Sequence, residues 1–298
     1  MSQFRKELTD LLRPHLKKPP GMTQAIVDDI DDVLDRAGVP RDGPPLNPPA
    51  PTPAQVAAAA ASPPPPAPPA VPAGRLDIRR LRTFLGLPAA GTFDAATKDA
   101  LLKRLANTKA AALTQADFAR VAADLNVPVK IIQAVRKVEA PRGAFDDLGR
   151  PTILYEKHIF GKQTGYAFNR THPLLSSKSW QPTTYGKFSA QYEKLTQACE
   201  LDPAAAFEAC SWGAFQILGT NATGCGYASA FDMAIALTES EAAHLDCFVR
   251  YVRMRGLVDE LAKCKPGDPA SCVAFVKAYN GPGYAANAYH VKLANAAL

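Results

Sequence analysis

The sequence predicts a mainly helical protein. Small helical modules and a proline–alanine-rich linker come first, and a larger helical domain with one small β element follows. Three observations carry this. Apolar residues recur at helical spacing in several separate stretches, while strand-like content is confined to PTILYEKHIF, bracketed by glycines. Residues 44–73 hold 13 prolines and 10 alanines in 30 positions, a composition that cannot build a core. From Thr114 onward the composition becomes that of an ordinary globular domain.

Taken in chain order, residues 1–43 read as a small helical hairpin, with helices at 2–13 and 22–37 on either side of a KKPPG break. Its acidic face is a solvated surface to which we assign no chemistry. Residues 44–74 form the linker, whose prolines favour extended, semi-rigid conformations and so give the flanking modules independent reach. Residues 75–110 read as helix, glycine-containing loop, helix. Leu81, Phe84 and Leu85 pack from the first helix, Leu101, Leu102 and Leu105 from the second, and Asp94 is the N-cap of the second.

The larger domain spans 113–298. Thr114 caps an amphipathic helix, and PVKIIQAVRKVEAP follows as a second helix with Pro128 at its start, where a missing N–H costs nothing. PTILYEKHIF is the strand; a loop-like stretch runs through Trp180 to Lys187. Helices are expected at 188–200 and 203–210, near 230–256, and as a final pair at 270–280 and 283–297.

Charge and composition exclude several functions. The net charge of +6 is concentrated in residues 75–112, which carry 8 Lys/Arg against 3 Asp/Glu and so suit an anionic surface. No recognition motif or interleaved aromatics support a nucleic-acid partner. The N-terminus lacks the apolar core of a secretory signal, and no proline-free run approaches the roughly 20 apolar residues of a membrane span. The expectation is a cytosolic product without stable membrane insertion, released by something else if it acts outside. All six cysteines lie between Cys199 and Cys272 without a CxxC pair or zinc spacing, so no metal is expected. Cys264 and Cys272 bracket a turn-rich loop and read equally as a disulfide or as buried thiols.

One carboxylate stands out. Ile131, Ile132, Val135 and Val138 form an apolar helix face, and Glu139 continues it four residues after Val135. On that face, desolvation raises a carboxyl pKa, as a general acid working near neutral pH requires; in a frayed last turn it would sit in water.

Two resemblances sharpen the reading. Leu81 and Leu85, then Gly91, Thr92, Phe93, Asp94, Thr97 and Ala100, resemble the small helical peptidoglycan-binding module of cell-wall hydrolases, over about half its usual length; a generic helical hairpin is the alternative. The resemblance implies a wall-binding surface at Arg79, Arg80, Arg82 and Phe93, with Arg75 adding charge. Further on, VEAPRGAF, then Ser211 to Ile217, then Ala278-Tyr279-Asn280-Gly281 follow the order of the lysozyme superfamily in its goose-type and transglycosylase branch. Gly143, Phe145, Gly149, Arg150, Pro151, Leu154, Tyr155, Glu156, His158 and Phe160 match densely, so that 113–298 resembles a phage endolysin muramidase family. The departure is Glu139-Ala140, where that family usually has Glu-Ser.

The resemblance implies a lysozyme-like α+β domain acting as a monomer on peptidoglycan glycan strands, without cofactor, after holin-type release to the wall. It would cleave the β-1,4 bond between N-acetylmuramic acid and N-acetylglucosamine. A lytic transglycosylase and a non-catalytic wall-binding protein are the alternatives. Glu139 is the general acid. Glu156 is the preferred second carboxylate, since strand alternation would set it with His158 on one face; a structural ion pair with His158 or Arg150 is its bland reading. Asp146 and Asp147 are further candidates in a turn-forming context. Gln216, Asn280 and Ser211 would meet sugar hydroxyl or N-acetyl groups, and Tyr279 would hold the Glu139 carboxyl or stack on a ring. Trp212 reads equally as core or as sugar platform, and His158 as structural.

Overall fold

A computed structural model describes residues 75–298 apart from 142, 182–184 and 286; the expected hairpin at 1–43 and the linker at 44–74 lie outside the described residues. The chain begins with α1 (Ile78–Phe84) and α2 (Ala95–Arg104), each opened by an aspartate cap: Asp77 accepts the Arg80 N–H at 2.8 Å and Asp94 accepts the Thr97 N–H at 2.9 Å. The loop between them closes on Arg82. Its guanidinium donates to the Pro88 and Thr92 carbonyls and to Asp94, all at 2.9 Å, and to Thr97 at 2.5 Å.

This hairpin is fastened to the larger domain. Phe84 packs edge-on against Phe231 with ring centroids 4.9 Å apart, and Asn107 N–H donates to the Gly149 carbonyl at 2.8 Å. Arg75–Asp202 and Lys98–Glu193 ion pairs, both at 2.7 Å, flank the contact. Exposed pairs of this kind contribute little, so the aromatic packing sets the seat.

In the larger domain, α3 (Gln115–Leu125) opens on a reciprocal Thr114–Asp117 capping box and ends at Asn126 in the left-handed region, φ 52°. Helix α4 (Val129–Glu139) follows at once from Pro128 and buries Ile131, Ile132, Ala134 and Val135. It packs against α3 and against the last helix, α12 (Tyr289–Ala296). A three-stranded antiparallel sheet runs in the order β1 (Ile153–Tyr155), β2 (Cys210–Trp212), β3 (Ile217–Leu218). Its register pairs Ile153 with Trp212, Leu154 with Ser211, and Ser211 with Leu218. Alternation sends Ile153, Tyr155, Cys210 and Trp212 into the core and leaves Leu154, Ser211 and Leu218 on the opposite face. Trp212 is a core residue: it stacks on Phe207 at 5.5 Å and its indole N–H donates to the Phe207 carbonyl at 3.0 Å.

The strand is shorter than the sequence predicts. PTILYEKHIF is strand only as far as Tyr155; Glu156 then starts α5 (Lys157–Gln163), because its carbonyl receives the Ile159 and Phe160 N–H groups and Phe160 buries against Phe168. Glu156 therefore does not share a strand face with His158. The segment 188–201 enters through a 3-10 turn into α6 (Gln191–Leu201), and α7 (Pro203–Glu208) precedes β2. The helix expected near 230–256 is two, α8 (Ala230–Leu237) and α9 (Glu241–Met254). Thr238 Oγ1 ties back to the Ile235 carbonyl and Ser240 caps a new start at the Ala243 N–H. An unanticipated α10 (Val258–Lys263) precedes α11 (Pro269–Asn280), and α12 begins six residues later than expected, after a 3-10 turn at 282–284. All six cysteines are buried free thiols, Cys264 and Cys272 included. Among the described residues no helix is long and apolar enough to cross a membrane.

Candidate active site

Helix α4 stops at Glu139, where Ala140 leaves helical geometry at φ −127° and Pro141 prevents continuation. That stop places the carboxyl in a groove of about 710 Å³. The β1 residues Ile153 and Leu154 line it together with Ala140, Gly143 and Thr152 and with residues from Gly186 to Gln191. Part of the Glu139 side chain stays open to the groove, while protein surrounds the rest. Burial raises its pKa from 4.5 to about 7, and a hydrogen bond from the Tyr289 hydroxyl to Oε1 pulls in the opposite direction. Among the described residues no cation pairs with it. A large share of the carboxyl therefore stays protonated near neutral pH, where an ordinary carboxyl would be fully ionised.

Gln216 also lines the groove. It sits in the left-handed region at φ 48° between a 3-10 turn (Gly213–Phe215) and β3, and its amide donates to the Gly213 carbonyl at 2.9 Å. The turn beneath is braced by His244, whose Nδ1 accepts the Ala214 N–H at 2.9 Å while Nε2 lies 2.6 Å from the Leu237 carbonyl. Nε2 therefore carries the proton. Gly213, at φ +68°, permits this: a Cβ there would lie 2.4 Å from His244 Nδ1.

The remaining expected residues scatter. Tyr279 does not hold Glu139; its hydroxyl donates to the Phe215 carbonyl at 2.7 Å and so supports the Gln216 turn from below. Asn280 ends α11 exposed and outside the groove lining, and Ser211 stands beside Leu154 on the open face of the sheet without lining the groove. Asp146 is a turn former, accepting the Leu148 and Arg150 N–H groups at 3.0 and 2.9 Å and pairing with the Arg150 guanidinium at 2.7 Å. Asp147 lines the groove and is exposed. Glu156 does not line it: the Tyr185 hydroxyl donates to its Oε2, which lies 3.4 Å from His158 Nδ1. In the hairpin, Arg79 is exposed and Arg80 half-buried, with the Arg80 guanidinium donating to the Arg75 carbonyl at 2.9 Å. Arg82 and Phe93, expected at a wall-binding surface, are buried at 6% and 8% exposure; Arg82 is spent on closing its own loop. Among the described residues, no group of three or more His, Cys, Asp and Glu side chains converges to hold a metal ion.

The family model for N-acetylmuramidases matches residues 128–297, from the start of α4 through α12. The chain belongs to the N-acetylmuramidase family. The crystal structure of the Burkholderia AP3 phage endolysin is similar, with a TM-score of 0.55 at 31% sequence identity over 76% of this chain and 96% of that one. No curated protein sequence matches. This muramidase domain takes the lysozyme-like α+β form that the resemblance implies, with the end of α4 and the first strand of its small sheet lining the same groove.

Sequence reasoning missed Tyr289 and His244. Tyr289 and Leu293 share the buried face of α12 at i, i+4 spacing, a pattern that marks an inward tyrosine without naming its partner, 150 residues away. His244 lies in an amphipathic helix whose pattern gives it only a buried place.

Proposed function

We propose that the chain hydrolyses the β-1,4 bond between N-acetylmuramic acid and N-acetylglucosamine in peptidoglycan, as the lytic enzyme of a phage. The observation that carries this is the Glu139 carboxyl, closing α4 inside the groove with its pKa lifted to about 7 by burial. A protonated carboxyl so placed gives its proton to the departing glycosidic oxygen. The carboxylate left behind stabilises the oxocarbenium-like sugar, and water adds to the anomeric carbon, one of its protons restoring the Glu139 acid. Gln216, fixed by the turn it ends, aligns an amide with sugar polar groups. The 75–110 hairpin supports wall attachment through its exposed Arg79, and release from the cytosol follows the holin route of phage lysis. No cofactor enters this chemistry.

The test is clearing of outer-membrane-stripped cells with mass spectrometry of the released fragments. Wild type releases fragments with reducing ends, and Glu139→Gln releases none. Undiminished clearing by Glu139→Gln refutes the assignment, and 1,6-anhydro ends convert it to a lytic transglycosylase.

A further inference from the structure

Beyond the groove lining, the most exposed large aromatic side chain among the described residues is an indole. Trp180 is 57% exposed. Its indole N–H is already committed, donating at 2.7 Å to the Tyr185 hydroxyl. That hydroxyl in turn donates to the Glu156 carboxylate, whose side chain is only 14% exposed. The Tyr185 backbone is pinned as well: its carbonyl accepts from Gln191 Nε2 at 2.8 Å and from Lys194 Nζ at 2.6 Å. A half-buried acid, a phenol and an indole therefore form one relay that fixes the plane of an exposed ring.

The relay's place in the chain gives its direction. Glu156 comes two residues after Leu154, and Tyr185 one residue before Gly186; both Leu154 and Gly186 line the groove. The relay is thus tied through short stretches of chain to two residues that line the groove, Leu154 and Gly186. With its N–H spent, the indole offers a neighbour only its flat faces. The apolar C–H face of a pyranose ring is the chemistry that suits such a platform. We propose that Trp180 is a sugar-stacking subsite at one end of the groove, and that Glu156 and Tyr185 are positioning residues for it. This rests on the glycan-cleaving reading of the groove and assigns Glu156 a role other than a second catalytic carboxylate.

The chain has two tryptophans, and Trp212 is 1% exposed in the core, so emission changes on ligand binding report Trp180. Full-length Glu139→Gln protein is titrated with peptide-free glycan strands prepared from peptidoglycan, binding being followed in parallel by calorimetry. The emission shifts to the blue with the calorimetric isotherm. Adding Trp180→Phe abolishes the shift, and Trp180→Ala weakens strand affinity roughly tenfold. Tyr185→Phe, which breaks the relay but keeps the indole, weakens affinity and reduces the shift. Strand binding with a silent indole, or unchanged affinity in Trp180→Ala, overturns this inference alone. Absence of any strand binding overturns the groove reading with it. Glu156→Gln in the otherwise wild-type chain separates positioning from chemistry, because the amide oxygen still accepts from Tyr185. Turnover abolished at unchanged KM overturns the positioning role.

Discussion

An acid that must be protonated when its bond breaks is only as useful as the balance of forces on its proton. At Glu139 burial raises the pKa to about 7, and the Tyr289 hydroxyl, which donates to the carboxylate, lowers it. Removing that donor leaves burial unopposed. Tyr289→Phe should therefore shift the alkaline limb of the pH–rate profile upward by about one pH unit, since a hydrogen bond to a charged group is worth ~1.5 kcal/mol or more. Initial clearing rates of stripped cells between pH 5 and 9 check this; a downward shift contradicts the assignment. The tyrosine left by the neighbouring motif, Tyr279, should behave differently. Its hydroxyl serves the Phe215 carbonyl, so Tyr279→Phe should loosen the Gln216 turn and raise KM while leaving the position of that limb in place.

At the scale of elements, the same kind of side chain takes opposite jobs according to where its loop closes. Arg82 donates to two carbonyls, Asp94 and Thr97, and is almost fully buried. Arg82→Leu leaves those acceptors unsatisfied and should cost about 3 kcal/mol, felt within α1, α2 and their loop. Amide exchange over 76–105 should quicken while the α4 amides keep their protection. Gly213→Ala acts at the groove instead: a Cβ 2.4 Å from His244 Nδ1 at φ +68° should lower stability by about 2 kcal/mol and weaken substrate binding together, read by urea melts and KM. These elements also show what the sequence could reveal. Ile131, Ile132 and Val135 recur at helical spacing, so α4, its buried face and an acid at its end are legible, as are the Asp94 and Thr114 caps. Periodicity does not say that a basic residue on a helix turns inward to close a loop, so the sequence points Arg82 outward where the structure buries it. Nor does β propensity register that Phe160 buries better from a helix, so Glu156 was placed on a strand face that ends one residue before it. Tyr289 escaped because its partner is distant in sequence.

For the molecule as a whole, two buried groups set opposing dependences of stability on pH. Glu139 has an ordinary pKa of 4.5 and a folded value of about 7. Between those values the folded chain holds a proton that the unfolded chain has released, so stability falls as pH rises, by about 3 kcal/mol across the window. His244 has an ordinary value of 6.5 and a folded value of about 4, because burial disfavours its cation and Nδ1 must stay free to accept from Ala214. There the unfolded chain holds the extra proton, so stability rises with pH through its window by a similar ~3 kcal/mol. From pH 4.5 to 6.5 the two slopes cancel, and the contributions of these two groups to wild-type stability should be flat. Glu139→Gln removes one of them while keeping an acceptor for Tyr289. Its urea midpoint should climb steadily from pH 4.5 to 6.5 and, at pH 8, exceed that of the wild type by the equivalent of about 3 kcal/mol. A gap between variant and wild type that stays constant from pH 4.5 to 8 would show that folding does not raise the Glu139 pKa. A gap that widens as described identifies the stability the fold gives up to keep one acid protonated in its groove, an exchange of stability for function that fits the proposed acid role.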